Sequence, residues 1–113
     1  MVGRGQVWWA ELPNPNGSEP GFTRPVLIIQ ADSFNQSRIN TVVVLAITSN
    51  MKLASAPGNV SLAKDKSGLS KDSVANVSQI STISRETLAE PIGNLDRLTM
   101  QQIDEGIALV LGL

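Results

Sequence analysis

Arg24 stands where a turn rich in glycine and proline runs into an apolar segment. The turn covers residues 17–25 and the apolar segment 26–29, so the arginine lies at the mouth of a predicted strand. The branched side chains behind it supply the anchoring that a precisely aimed side chain needs. A second apolar run, 42–47, ends in the polar residues Thr48, Ser49 and Asn50. Two buried strands that end in polar groups indicate a site, and its arginine is suited to stabilising negative charge.

The chain contains no histidine and no cysteine. Without histidine it lacks the usual general base near neutral pH and the commonest transition-metal ligand. Without cysteine it lacks disulfides, thiolate nucleophiles and cysteine-ligated zinc. Chemistry at the predicted site must therefore use arginine, lysine, carboxylates and hydroxyls.

Nine basic and ten acidic residues give a formal net charge of −1. This is the wrong sign for a strongly electrostatic nucleic-acid binder, so such a ligand would need a local basic patch. With two Trp, two Phe and no Tyr, an extended base-stacking platform is not expected. No apolar run approaches the roughly 20 residues that span a bilayer, and no signal core follows the N-terminus. We therefore expect a cytoplasmic protein without membrane association.

A length of 113 residues with 42% apolar content predicts one compact domain over 1–113. The apolar pattern predicts strands at 6–12, 24–30, 41–47, 58–62 and 73–83. The last segment also fits a helix in part, and a strand is favoured because Val and Ile dominate it. The second and third are continuous apolar runs, which is typical of central strands covered on both faces. Trp8 and Trp9 are adjacent in a strand and face opposite sides, so we expect one to be buried and the other to lie at a surface.

The segments between the strands are polar. We expect a loop or short helical turn at 31–40, a charged turn at 64–68, and a short turn at 84–88 capped by Ser84. From residue 99 apolar residues recur at helical spacing until Gly112, and they are Met100, Ile103, Ile107, Val110 and Leu111. Short strands followed by one amphipathic helix imply a small, strongly curved antiparallel sheet or barrel with the helix packed on it.

Eight segments, in order along nearly the whole chain, carry a resemblance to a known family: 4–9, 17–19, 23–26, 46–49, 68–74, 79–80, 92–95 and 111–113. The chain resembles the bacterial toxin endoribonucleases of the MazF/PemK type. The resemblance implies a mainly β fold with α, an SH3-like small β-barrel of the CcdB/PemK type with a C-terminal amphipathic helix. It also implies a homodimer and sequence-specific, metal-independent cleavage of single-stranded RNA.

The resemblance pairs Arg24 with Thr48 as the catalytic core. Metal-free RNA cleavage needs attack by the adjacent 2′-hydroxyl, a proton acceptor, a proton donor for the leaving 5′-oxygen, and positive charge on the phosphate. Arg24 can donate two N–H bonds to phosphate oxygens and stabilise the charge of the transition state. It is a poor proton donor because its guanidinium holds its protons tightly, so a role as general acid or base is implied by the resemblance alone. Thr48 can donate to the same phosphate or orient the 2′-hydroxyl, or it can simply cap its own turn. Glu19, on the matching loop, can accept a proton or hold Arg24 in place.

Six further residues are candidates for RNA contact: Ser18, Thr23, Ser49, Asn50, Ser73 and Gln79. Ser73 and Gln79 can also be ordinary polar residues of a sheet. Relatives often carry a basic residue just after the match at 79–80, and this chain has Ser81 there, so phosphate contact on that side is expected to be weaker. The loops 13–22 and 49–58 are expected to decide which RNA sequence is recognised.

The resemblance further implies products with 2′,3′-cyclic phosphate and 5′-hydroxyl ends, and a cognate antitoxin as partner. A disordered acidic segment of the antitoxin would lie in the RNA groove and block Arg24, and DNA would be bound only through the antitoxin. An alternative is a non-enzymatic, CcdB-like toxin that binds DNA gyrase through its dimer surface and C-terminal helix, without need of Arg24 beside Thr48. A plain SH3-like peptide-binding module is disfavoured, because the chain lacks the aromatic residues of such a groove.

Overall fold

The computed structural model describes residues 2–12 and 22–113. Its strands are β1 Gln6–Leu12, β2 Phe22–Ile28, β3 Thr41–Thr48, β4 Val60–Leu62, β5 Ser73–Ser84 and β6 Leu88–Asn94. Its α-helices are the single turns α1 Asp32–Asn35 and α2 Lys64–Ser67 and the long α3 Arg97–Leu111. Short 3₁₀ turns lie at Met51–Ser55 and Arg85–Thr87. None of the helices in these ranges is long and apolar enough to cross a bilayer.

The strands form one sheet in the order β4-β5-β3-β2-β1-β6, and every neighbouring pair is antiparallel. The sheet curls until its ends approach each other where α2, which follows β4, packs on β6. Glycines permit this contact, because a β-carbon on Gly93 would lie 2.7 Å from the carbonyl oxygen of Ser67. The neighbouring Gly68 is required for its backbone conformation, because its φ of 82° lies in the left-handed region that favours glycine. The curled sheet with a terminal helix confirms the predicted fold class.

Strands β2 and β3 are covered on both faces, as their continuous apolar runs predict. One face buries Leu27 and Leu45 against Ile103 of α3. The other face buries a second cluster formed by Ala10, Val26, Ile28, Val42 and Val44. Fully burying one such aliphatic side chain contributes about 1.5–3 kcal/mol, so these two clusters hold the strands that carry the candidate site.

Helix α3 begins two residues before the predicted start at Thr99. Asp96 caps it by accepting a hydrogen bond from the Thr99 backbone N–H at 2.8 Å, and Gly112 ends it in the left-handed conformation. Ile103 is buried, but Val110 and Leu111, which share its predicted stripe, are 41% and 57% exposed. The contact of the helix with the core therefore ends before its last turn.

Strand β5 carries an irregularity that the sequence pattern did not reveal. Leu45 of β3 lies opposite Ile80, whereas the next residue, Ala46, lies opposite Asn76. Residues 77–79 are therefore inserted in β5 without partners in β3, as a bulge. The side chain of Asn59 stabilises this bulge, because its Oδ1 accepts the backbone N–H of Val77 at 3.0 Å.

Two local expectations are wrong. Trp8 and Trp9 do face opposite sides, yet both are half-buried, because each packs against a different core cluster. The predicted turn after Ser84 is present as a 3₁₀ turn, but the Ser84 side chain makes no capping bond. Instead the hydroxyl of Thr87 donates to the Ser84 carbonyl at 2.6 Å. The charged turn at 64–68 is confirmed as the helical turn α2 closed by a glycine.

Candidate active site

A cavity of about 420 Å³ lies where β2 begins, β3 ends and β5 begins. Antiparallel pairing brings these ends together, because Val26 lies opposite Ala46 and Thr48 lies opposite Val74. Five of the predicted site residues line the cavity: Thr23, Arg24, Thr48, Ser49 and Ser73. The structure thus joins the arginine and the hydroxyls that the sequence placed at separate strand ends.

Arg24 is the exposed third residue of β2, opposite Ala10 of β1. The chain enters the core immediately after it, because Val26 is 3% exposed and Leu27 is fully buried. The backbone at Arg24 is therefore held by the sheet while its charged group reaches the cavity. This is the arrangement that a preorganised electrostatic group requires.

Thr48 is the last residue of β3 and is half-buried. Its Oγ1 accepts a hydrogen bond from the backbone N–H of Asn50 at 3.1 Å, so the turn-capping role does occur. In this bond the hydroxyl oxygen is the acceptor, and the hydroxyl hydrogen is not engaged by it. The capping bond fixes the side chain, and Thr48 can still donate to an oxygen in the cavity.

Ser73 and Ser49 differ in their surroundings although both border the cavity. Ser73 is buried, and its hydroxyl donates to the carbonyl of Lys71 at 3.1 Å. Ser49 is exposed. Ser73 therefore shapes the wall of the cavity, whereas Ser49 lies at its solvent side.

Two other predicted contact residues are not part of the cavity lining. Asn50 is exposed, and its Oδ1 accepts the Lys52 backbone N–H at 3.2 Å, which caps the following 3₁₀ turn. Gln79 is exposed within the β5 bulge. Glu19 and Ser18, the predicted carboxylate and its neighbour, lie outside the described residues.

Lys71 and Trp9 also line the cavity, and neither was a candidate from the sequence. Lys71 lies in one of the segments that carry the family resemblance, which was the available signal. The loop that carries Lys71 is hydrogen-bonded to both ends of α2. Asp72 Oδ1 accepts the backbone N–H of Lys64 at 2.9 Å, and Oγ of the buried Ser67 accepts the backbone N–H of Leu69 at 3.1 Å. These bonds hold the loop that brings a second cation to the cavity that Arg24 lines.

The lining therefore combines two cations with several hydroxyl groups, which suits binding of a phosphate group. Ser81, where relatives often carry a basic residue, lies farther along β5, opposite Val44. Lys71 supplies a basic group at the cavity instead. Among the residues that the structure describes, no three carboxylate, histidine or cysteine side chains are grouped so as to hold a metal ion. The fold and the cavity define a small, curled-sheet protein with a cavity of cationic and hydroxyl side chains at converging strand ends.

A family model described as "PemK-like, MazF-like toxin of type II toxin-antitoxin system" matches residues 3–111. The chain belongs to this family. It is 42% identical over 113 residues to "Endoribonuclease MazF6" of Mycobacterium tuberculosis, a match that covers 100% of this chain and 99% of the relative.

Solved structures agree with this assignment. An "Endoribonuclease in complex with its cognate antitoxin from Mycobacterial species" superimposes with a TM-score of 0.78 at 25% identity, over 100% of this chain and 97% of that one. A MazE–MazF structure from Deinococcus radiodurans gives a TM-score of 0.82 at 19% identity, over 99% and 96% of the two chains, and this shows the shared fold.

Proposed function

We propose that this protein is a sequence-specific endoribonuclease toxin of a type II toxin–antitoxin system that cleaves single-stranded RNA without a metal ion. The observation that carries the proposal is the convergence of Arg24, Thr48 and Lys71, from three separate parts of the chain, on one cavity. The 42% identity to a relative named an endoribonuclease supports the same activity.

In the proposed reaction the 2′-hydroxyl oxygen attacks the adjacent phosphorus and the bond from phosphorus to the 5′-oxygen breaks. The 2′-hydroxyl loses its proton to a base and the departing 5′-oxygen gains one from an acid, which leaves a 2′,3′-cyclic phosphate and a 5′-hydroxyl. Glu19 is the candidate base on the matching loop, or it holds Arg24 in place. The assignment of the acid stays open.

The described side chains have distinct parts in this step. Arg24 donates two N–H bonds to the phosphate oxygens and stabilises the charge that builds up as the 2′-oxygen adds. Lys71 adds a point charge at the same cavity. Thr48 donates its hydroxyl hydrogen to a phosphate oxygen or orients the 2′-hydroxyl, since its oxygen is already held by the Asn50 N–H.

The proposed partners follow from the same site. An acidic, disordered segment of a cognate antitoxin would compete with RNA for the two cations, and its remaining part would carry the DNA-binding function. A relative of this fold has been solved together with its cognate antitoxin. Assembly as a homodimer and residence in the cytoplasm are part of this proposal.

The test is incubation of the purified protein and Arg24→Ala with a long single-stranded RNA in EDTA, followed by mapping of the cut sites and their end groups. Arg38→Ala is the matched control, because Arg38 is an exposed arginine outside the cavity lining. Cuts at a recurring short sequence with cyclic phosphate ends, lost only in Arg24→Ala, are expected. Absence of cleavage by the folded protein across varied RNAs would overturn the proposal and make gyrase binding the next assay.

A further inference from the structure

A second cavity, of about 600 Å³, adjoins the first. Its described lining consists of Trp9, Glu11, Thr23, Ala89 and Glu90. Trp9 and Thr23 border both cavities. The two cavities therefore form one groove that runs from the ends of β3 and β5 over β2 and β1 to β6, and Trp9 lies at their junction.

The strand register places the lining of the second cavity on one face of the sheet. Trp9 lies opposite Glu90 of β6 on one side and Pro25 of β2 on the other, and Glu11 lies opposite Thr23. Side chains of directly opposed residues share a face, and so do residues two apart in a strand. Trp9 and both glutamates are thus presented to the same ligand.

The charge changes sign along this groove. The first cavity carries Arg24 and Lys71, whereas the second carries the exposed carboxylates Glu11 and Glu90. A phosphate is attracted to the first cavity and repelled from the second. An RNA strand with its scissile phosphate at Arg24 can therefore place a base, but not a further phosphate, against the carboxylates.

Trp9 provides the surface on which such a base can stack. The ring is half-buried and packs against the core cluster that contains Leu27 and Ile103, so it is fixed before the ligand arrives. Stacking on an aromatic ring is tolerant of sequence because every base has a π face. Discrimination between bases must then come from the polar groups beside the ring.

We infer that Trp9, Glu11 and Glu90 form a subsite for the base next to the scissile phosphate, selective for bases with an exocyclic amino group over uracil. This inference rests on the proposed function. Carboxylates only accept hydrogen bonds, and cytosine, adenine and guanine each offer amino N–H donors. Uracil presents carbonyl oxygens where those bases carry amino groups, so its one Watson–Crick donor, the N3–H, lies between two oxygens that the carboxylates repel.

The first arm of the test measures cleavage of an RNA library that is random around the cut. At one nucleotide beside the cut, we expect the unaltered protein to disfavour uracil about tenfold, the size of one hydrogen-bonded base contact. Glu11→Gln and Glu90→Gln should reduce that preference, because an amide can also donate to a uracil carbonyl. Glu86→Gln, an exposed glutamate of a 3₁₀ turn, is the matched control and should retain it.

The second arm does not depend on cleavage. Short 2′-O-methyl homopolymers of cytosine, adenine or uracil cannot be cut, since the attacking hydroxyl is blocked. In a Trp8→Phe background the remaining tryptophan fluorescence reports Trp9 alone, because the chain has two tryptophans. Quenching with about tenfold tighter binding of the cytosine and adenine polymers than of the uracil polymer is expected.

The two arms separate the possible failures. Base preference in the binding arm without cleavage in the first would support the subsite and refute the proposed ribonuclease activity. Cleavage with the same base preferences in the unaltered protein, Glu11→Gln and Glu90→Gln would overturn the subsite and leave the ribonuclease intact. Quenching of Trp9 fluorescence by the three polymers at equal affinity would also overturn it.

Discussion

Gly106 of α3 lies so close to Gly58 that a β-carbon on Gly106 would overlap the carbonyl oxygen of Gly58. The same β-carbon would be 3.0 Å from Cγ1 of Val77, the buried residue that opens the β5 bulge. Helix and turn therefore meet backbone to backbone. The absence of side chains at both glycines allows α3 to pack closely on the sheet beside the bulge.

Gly106→Ala is therefore expected to destabilise the protein. Overpacking of this kind costs about 1–3 kcal/mol, and here it opposes the gain of about 1 kcal/mol that alanine brings to a helix interior. We expect a net loss in the free energy of unfolding, measured by urea denaturation. Gln101→Ala, an exposed change in the same helix, should shift stability by no more than about 0.5 kcal/mol. Equal stability of both variants would mean that α3 does not pack as described.

The role of Arg24 predicts a graded loss of cleavage. Arg24→Ala should lower kcat by about 10²–10³, the typical cost of removing a preorganised donor at a developing charge. Arg24→Lys keeps the charge but loses the paired donors, so we expect an intermediate value. Single-turnover cleavage in EDTA measures both. Activity of the lysine variant equal to that of the unaltered protein would show that only charge is needed.

The Thr48 hydroxyl makes a structural hydrogen bond and is also a proposed catalytic group. Two substitutions that nearly preserve the shape of the side chain test the catalytic role. Thr48→Ser retains the hydroxyl and should cleave within about tenfold of the unaltered protein, whereas the nearly isosteric Thr48→Val should lose about 10² or more. Thr87→Val is the matched control, because it also removes a threonine hydrogen bond but lies outside the cavity lining. Cleavage by Thr48→Val at the rate of this control would restrict Thr48 to capping its turn.

Lys71 is expected to act mainly through phosphate attraction. Lys71→Ala should weaken binding of an uncleavable single-stranded RNA and make the slope of log K against log salt less steep by about 0.7, the value for one phosphate contact. Arg38→Ala, at a residue outside the cavity lining, should leave the slope unchanged. A slope unaffected by Lys71→Ala would show that this lysine makes no phosphate contact.

The central strands and the candidate site at their ends were predictable because each depends on residues that are close together in the sequence. Continuous apolar runs mark β2 and β3, and polar residues follow directly, so Arg24 and Thr48 were found from the sequence. Strand β6 was missed because Glu90, Pro91 and Gly93 break its pattern, and only pairing with β1 makes it a strand. This is a tertiary effect.

The remaining site residues depend on contacts between distant segments. Lys71 reaches the cavity because Asp72 binds the backbone of Lys64 and Ser67 binds that of Leu69. The position of Gln79 depends on the bulge at residues 77–79, and the apolar pattern of the sequence does not predict this bulge. The expectation for the pair at 8–9 was one buried and one surface tryptophan, whereas the place of Trp9 at the border of two cavities depends on which strands lie beside β1.

The cap of α3 predicts how stability depends on pH. Hydrogen bonds from the Thr99 side chain and backbone hold the pKa of Asp96 below its ordinary value of 3.8, and Lys66 adds a smaller effect. Because the pKa is lower in the folded protein, the stabilisation is complete above the ordinary value and is lost as the pH falls through 3.8 and below. Asp96→Asn still caps the helix but cannot titrate there, so its stability should fall less steeply between neutral pH and pH 3. Urea denaturation across this range measures both proteins, and parallel curves would show that the cap makes no contribution to acid sensitivity.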